Sequence, residues 1–244
     1  MTTAITKADP ELIKKARLMS GTNLPQNKLN YIKIMYDAES SSYGNFILKT
    51  WDSNLEAYND VDLGKEFKGV VLVCSKKCSQ WEDGKNIWES NEFFNYDEVL
   101  TLTNTENDSV KKGTYRELKN ENELLKLQLA LYVLVNEKVY CVFIKGGTII
   151  DFGNYDKTIK DSGGTIQQYE TLFTMSKEKN GAVTFFKIHF EIAEEVDLVK
   201  TYAMSMQVRN AINARRGRSE TKKDEELSPP ATEVVDVSLD DLPF

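Results

Sequence analysis

Long apolar runs are missing from this chain of 244 residues. The longest, LALYVLV at 129–135, has strand or core-helix length, whereas a membrane-spanning helix needs roughly 18 to 20 residues. The opening MTTAITKADPELIKKARLM has no apolar centre of signal-peptide type, so a cytoplasmic setting is expected. Histidine is almost absent: His189 stands alone, which excludes H-E-x-x-H and any two-histidine metal site. Three cysteines, Cys74, Cys78 and Cys141, are too few and odd in number for a disulfide framework. Together with His189 they have the donors for one zinc ion, but the C-S-K-K-C spacing lacks a paired C-x2-C, and neither a metal nor a cofactor is expected. Phosphate loops are missing too, since LGKEF at 63–67 lacks the upstream glycine and the following Ser or Thr, and KGGTIID at 145–151 has only a glycine pair. DSGGT at 161–165 reads as a turn rather than a nucleophile site. A single histidine leaves room for a triad, but nothing in the sequence argues for catalysis, and a non-catalytic protein is expected.

Proline and aromatics are distributed unevenly. Three of the five prolines (Pro229, Pro230, Pro243) fall in the last sixteen residues, and no aromatic stands between Tyr202 and Phe244. From Asp224 onward there are seven acids and no Lys or Arg, so residues 1–223 carry 31 charges of each sign and the net −7 belongs to the end of the chain. Such a segment buries too little apolar surface to offset its ordering entropy. The expected organisation is one folded domain over 1–216 and a disordered acidic tail over 217–244.

Within the domain, β-branched and aromatic runs predict strands at 31–37, 43–50, 67–75, 98–103 and 138–146. In AVTFFKIHFEI the residues Phe186, Ile188, Phe190 and Ile192 alternate with Lys187, His189 and Glu191, the period of a strand with one buried face. Helices are predicted at 10–19, 115–130, 164–177 and 194–214. The class is mainly β with helical insertions, an α+β chain arranged as an antiparallel barrel or sandwich.

Several stretches interleave cations with aromatics, the pattern that single-stranded nucleic acid requires: a cationic groove for phosphates and ring faces for bases. SKKCSQWEDGKNIWESNEFF places Lys76, Lys77 and Lys85 among Trp81, Trp88, Phe93 and Phe94 around a turn at Asp83-Gly84. The tryptophans packing inward beneath solvated lysines is the competing reading. A second patch holds Lys111, Lys112, Tyr115, Arg116 and Lys119; on the predicted strand, Phe185 and Lys187 share a face with His189. Arg215, Arg216 and Arg218 end the last predicted helix, where cations also favour its dipole, and are read as structural.

The chain ends SLDDLPF. A terminal phenylalanine offers a ring for an apolar pocket and an α-carboxylate for a cation at its rim, while Pro243 limits the freedom lost on docking and Asp240 and Asp241 suit a basic border. At Asp240, Asp241, Leu242, Pro243 and Phe244 the chain resembles the single-stranded DNA-binding proteins of bacteria and their phages, whose acidic tails end in Asp-Asp-Ile-Pro-Phe or close variants. The resemblance spans about seven residues and the composition of the tether, whereas the body is longer than the usual bacterial domain. It implies an oligonucleotide-binding (OB) fold, coating of single-stranded DNA in replication, recombination and repair, and recruitment of partner enzymes by the tip. It is compatible with a homo-oligomer and gives no role to a membrane. The alternative is a phage accessory protein that uses the same tail to recruit host enzymes without holding DNA.

Overall fold

The computed structural model describes residues 29–181 and 183–227. The helix expected at 10–19 and the tip Asp240–Phe244 lie outside the described residues. In chain order the elements are β1 (Tyr31–Ile34), β2 (Phe46–Asp52), β3 (Ala57–Gly64), β4 (Glu66–Glu82), β5 (Lys85–Ser90), β6 (Leu100–Asn104), β7 (Val110–Gly113), α1 (Tyr115–Glu121), β8 (Lys126–Val135), β9 (Lys138–Lys145), α2 (Gly147–Asp161), β10 (Tyr169–Asn180), β11 (Val183–Glu195) and α3 (Leu198–Leu227). The chain is mainly β. No helix among the described residues is long and apolar enough to cross a membrane.

One mixed sheet takes all eleven strands, in the order β3-β2-β1-β9-β8-β4-β5-β6-β7, with β10 paired to β4 and β11 to β10. Every pairing is antiparallel except β1 with β9. The hydrogen-bonded path is open, ending at β3, at β7 and, on the branch, at β11, so the strands do not close into a barrel. Two hairpins follow from local chemistry. Asp83 and Gly84 between β4 and β5, and Asn136 and Glu137 between β8 and β9, all take positive φ, the conformation that two-residue turns need to match strand twist.

The 17-residue β4 branches the sheet. Along one edge it pairs with β8 from Val70 to Ser79; along the other it pairs first with β10 (Glu66 to Val70) and later with β5 (Ser79 to Glu82). Three apolar clusters result. Phe46, Phe67, Val133, Phe173 and Ile188 pack on one face with Phe152, Tyr155 and Ile159 of α2. Leu72, Ala130, Tyr132 and Cys141 lie on the opposite face beneath Ile212 of α3, and Phe93, Leu100, Leu118 and Leu125 fill a third cluster around β6 and α1.

Several elements differ from expectation. Residues 164–177, predicted helical, hold a short 3₁₀ turn at Ile166–Gln168 and then β10. Phe173 there stacks on Phe67 at 4.4 Å, and pairing with β4 on one side and β11 on the other outweighs local periodicity. Of the helix predicted at 115–130 only α1 forms, opened by a Thr114/Glu117 capping box, and β8 follows. Helix α2 falls where no helix is predicted, although Phe152, Tyr155 and Ile159 have helical spacing and are buried. Helix α3 runs through Leu227, so 217–227, expected in the tail, continues the helix, and Lys222, Lys223, Glu225 and Glu226 are good helix formers. Ile192, expected on the buried face of its strand, is 47% exposed on edge strand β11, beside the register shift at Glu170/Thr171.

Candidate nucleic-acid interface

The face of β4, β8 and β9 that α3 covers is only partly covered. Register puts Val73, Tyr132 and Cys141 on one rung across the three strands, and all three lie in the cluster under α3. Two residues further along each strand the rung is Ser75, Ala130 and Phe143; two further still it is Lys77, Gln128 and Lys145. On the middle rung Ser75 and Ala130 are buried, but Phe143 is 46% exposed although its chain neighbours Val142 and Ile144 are buried, and on the last rung Lys145 is exposed. Strand β1 extends this surface with Tyr31 and Lys33, since Ile32 faces the first core cluster.

Of these, Tyr31, Lys33, Lys77, Gln128, Phe143 and Lys145 line a cleft of about 730 Å³, together with Ile32, Phe46, Val142 and Ile188 of the first core cluster, Trp81, Asn86 and Glu89 of the β4–β5 hairpin, and Tyr36 and Asp37 after β1. Trp81 is 59% exposed, yet oriented: its Nε1 donates to Ser79 Oγ at 3.1 Å, and Gln128 Nε2 donates to the same oxygen at 2.8 Å. Tyr36 is also exposed, and its ring lies 5.6 Å from that of Phe186, which itself lies 5.1 Å from the Tyr43 ring. The cleft thus offers three exposed ring faces, Trp81, Phe143 and Tyr36, with lysines between them. Lys33 and Lys145 are exposed and, among the described residues, pair with no carboxylate. Lys77 differs: its ammonium donates to Glu89 Oε1, and burial pushes its pKa down.

The residues singled out from sequence scatter over the molecule. Lys77 and Trp81 meet in the cleft, and Lys85 is exposed at the start of β5 beside it. Lys76, adjacent to Lys77 on a strand, points the other way; its Nζ donates to the Phe94 carbonyl and lies 4.9 Å from the centre of the Tyr96 ring. Trp88 packs against the third core cluster, with Lys111 Nζ 5.6 Å from its ring centroid and 3.4 Å from Glu121 Oε2. Tyr115 packs there too, stacked on Phe93, while Lys112 and Arg116 are exposed nearby. Phe185 is partly exposed on β11, and Lys187 is held by Asp151 of α2 at 2.8 Å. Phe93 is fully buried and Phe94 lies under α3.

Sequence reasoning missed Lys33, Tyr36, Phe143 and Lys145. The signal was present in KVYCVFIK: Cys141, Phe143 and Lys145 share one face, and a lysine closing that face marks where burial ends.

Helix α3 runs on past Arg215 and Arg216 to Leu227, so these two arginines do not sit at its C-terminal dipole as expected; they are held by side-chain partners instead. Arg215 donates to Tyr132 Oη at 2.6 Å and meets Glu92 at 3.2 Å, and Arg216 pairs with Glu98. The cysteines belong to different clusters: Cys74 borders the first core cluster, Cys78 lies in the third cluster and Cys141 under α3. Among the described residues no three His, Cys, Asp or Glu gather as metal ligands. Burial pushes the Cys74 thiol up to about 11, and it raises those of Cys78 and Cys141 as well, which keeps all three protonated at neutral pH. His189 hydrogen-bonds Ser176 Oγ at 2.7 Å. No protein family, curated protein or solved structure matches the chain.

Proposed function

We propose that this is a non-catalytic single-stranded DNA-binding protein that holds its ligand in the cleft between Trp81 and Tyr36, and that its terminal Asp-Asp-Leu-Pro-Phe recruits replication, recombination and repair enzymes. The observation that carries the proposal is the exposed Phe143 with the exposed Lys33 and Lys145 beside it, which among the described residues pair with no carboxylate, and with Trp81 on its Ser79–Gln128 anchor in the same cleft. Rings stack on bases of any sequence and ammonium groups meet the phosphates between them, so the cleft suits a strand without base-specific readout.

The strand pairing supports an OB-like reading of the core. In the succession β4, β8, β9, α2, β10, β11 the long first strand pairs with the second and, elsewhere along its length, with the fourth, and a helix precedes the fourth. OB folds are partly open barrels that bind oligonucleotides across the second and third strands and the loops joining first to second and fourth to fifth. The corresponding parts here are β8, β9, the β4–β5 hairpin that begins the long connection to β8, and the β10–β11 hairpin. On this reading β1–β3 and β5–β7 with α1 are additions, and the protein works in the cytoplasm of a bacterium or a phage-infected host.

Titration with oligo-dT tests the proposal. Tryptophan fluorescence should be quenched at low salt, with affinity falling as salt rises, and Trp81→Phe should remove most of the quench. Absence of binding at low salt would overturn the DNA reading in favour of an accessory protein that recruits through its tail alone.

A further inference from the structure

Over its first three turns α3 buries small polar residues and exposes large apolar ones. Thr201 and Ser205 are buried, whereas Val199 is 80% exposed and Leu198, Tyr202 and Met206 are exposed as well. Val199, Tyr202 and Met206 recur three and four residues apart, so with Leu198 they form one apolar stripe along the helix, and exposed stripes of this kind mark contact surfaces. Beside the stripe a concavity of about 640 Å³ opens, with Leu72, Phe94 and Gln167 among its walls. Charge brackets the stripe. Glu195 and Asp197 precede it, and Arg209 follows it, with its guanidinium 4.5 Å from the centre of the Phe94 ring. Glu195 takes a hydrogen bond from Gln168 and Asp197 caps the helix, yet among the described residues neither acid pairs with a Lys or Arg, and no carboxylate pairs with Arg209.

We infer that this face binds a second copy of the chain, with the two α3 helices antiparallel across a two-fold axis at Tyr202. Self-complementarity selects that occupant. At the helical rise Leu198 lies about 6 Å before Tyr202, Met206 about 6 Å after it and Arg209 about 10 Å after it. The two-fold therefore sets Tyr202 against Tyr202 of the other copy and lays Met206 of each against Leu198 and Val199 of the other. It also carries each Arg209 to the acidic end, Glu195 and Asp197, that opens the other helix. One surface answers itself in both apolar and charged groups, which is the condition for a closed isologous contact. The concavity and the cleft share no residue, so the contact leaves both clefts open and the inference does not rest on the DNA reading. Two clefts on one body would hold a long strand more tightly than a short one.

Sedimentation velocity and disulfide trapping of the full chain test it. The wild type should sediment as a dimer, Tyr202→Glu as a monomer with an unchanged circular-dichroism spectrum, and Arg209→Glu should weaken the dimer by about tenfold or more. Only a residue on a two-fold axis meets its own copy, so Tyr202→Cys should link two chains on mild oxidation, whereas Lys200→Cys, exposed elsewhere on the same helix, should not. A wild-type chain still monomeric at roughly 100 μM, a dimer that survives Tyr202→Glu, or linkage through Lys200→Cys as readily as through Tyr202→Cys would each overturn the proposal.

Discussion

The two tryptophans of the β4–β5 region do different work, and substitution separates them. Trp81 is exposed and anchored only by one hydrogen bond, so Trp81→Ala should weaken oligonucleotide binding by roughly 1 to 3 kcal/mol and leave the melting temperature nearly unchanged. Trp88 packs against the core cluster that contains Phe93, Leu100 and Leu102, so Trp88→Ala should lower the melting temperature in calorimetry. A Trp81→Ala variant that binds as well as the wild type would remove the ring from the DNA path. Gly69 is a residue-scale test of the fold. A Cβ there would sit 2.7 Å from the Leu134 carbonyl oxygen and 2.7 Å from Val133 Cγ1, in the tight pairing of β4 with β8. Gly69→Ala should cost about 1 to 3 kcal/mol in urea unfolding, since neither backbone nor packed valine can move cheaply.

At the scale of the element, α3 is fastened at three places. Thr201 Oγ1 donates to the Gln167 carbonyl at 2.7 Å, Ile212 is buried, and Arg215 and Arg216 reach Glu92 and Glu98. Burial alone would raise the Glu98 carboxyl, but N–H groups of Asn95 and Phe94 and the Arg216 guanidinium outweigh it and hold its pKa below the ordinary 4.5. A carboxylate held lower in the folded state contributes stability that is present above its unfolded pKa and is lost as pH falls through the folded value. Arg216→Ala should therefore melt at a lower temperature than the wild type at neutral pH, and the gap should close as the solution is acidified below 4.5. A gap that persists in acid would assign the effect to packing of the arginine rather than to its pairing with Glu98.

For the whole molecule, charge divides by region: a balanced body and an acidic end. On the proposed function it is local placement of Lys33 and Lys145, rather than net charge, that would hold the DNA. The double change Lys33→Ala with Lys145→Ala should reduce the slope of log affinity against log salt by about 0.7 for each phosphate that is no longer neutralised. An unchanged slope would take both lysines out of the DNA path. Removing Leu242, Pro243 and Phe244 should abolish capture of tip-binding enzymes while leaving oligonucleotide binding intact, since ring and terminal carboxylate go together. Loss of DNA binding in that variant would make the tip part of the DNA site.

Composition and short-range pattern were enough for the mainly β character, the turn at Asp83-Gly84 and the strand cores at 67–75 and 138–145. Each depends on residues within one element or one turn of each other. The site was only half legible. Trp81 was marked as an aromatic in a polar stretch, but Lys76 and Lys77 could be told apart only once β4 was seen to run through Glu82, which sends neighbours to opposite faces. Residues 169–180 carry a pattern that suits helix or strand, and β4 and β11, distant in sequence, made them a strand by pairing on both sides. Phe143 reads as core in any local window. Its exposure is set by how the elements end around it: Ser75 and Ala130 on its own rung are buried, whereas its side chain opens on the cleft, and burial of that kind is a property of elements brought together, which no single stretch of chain encodes.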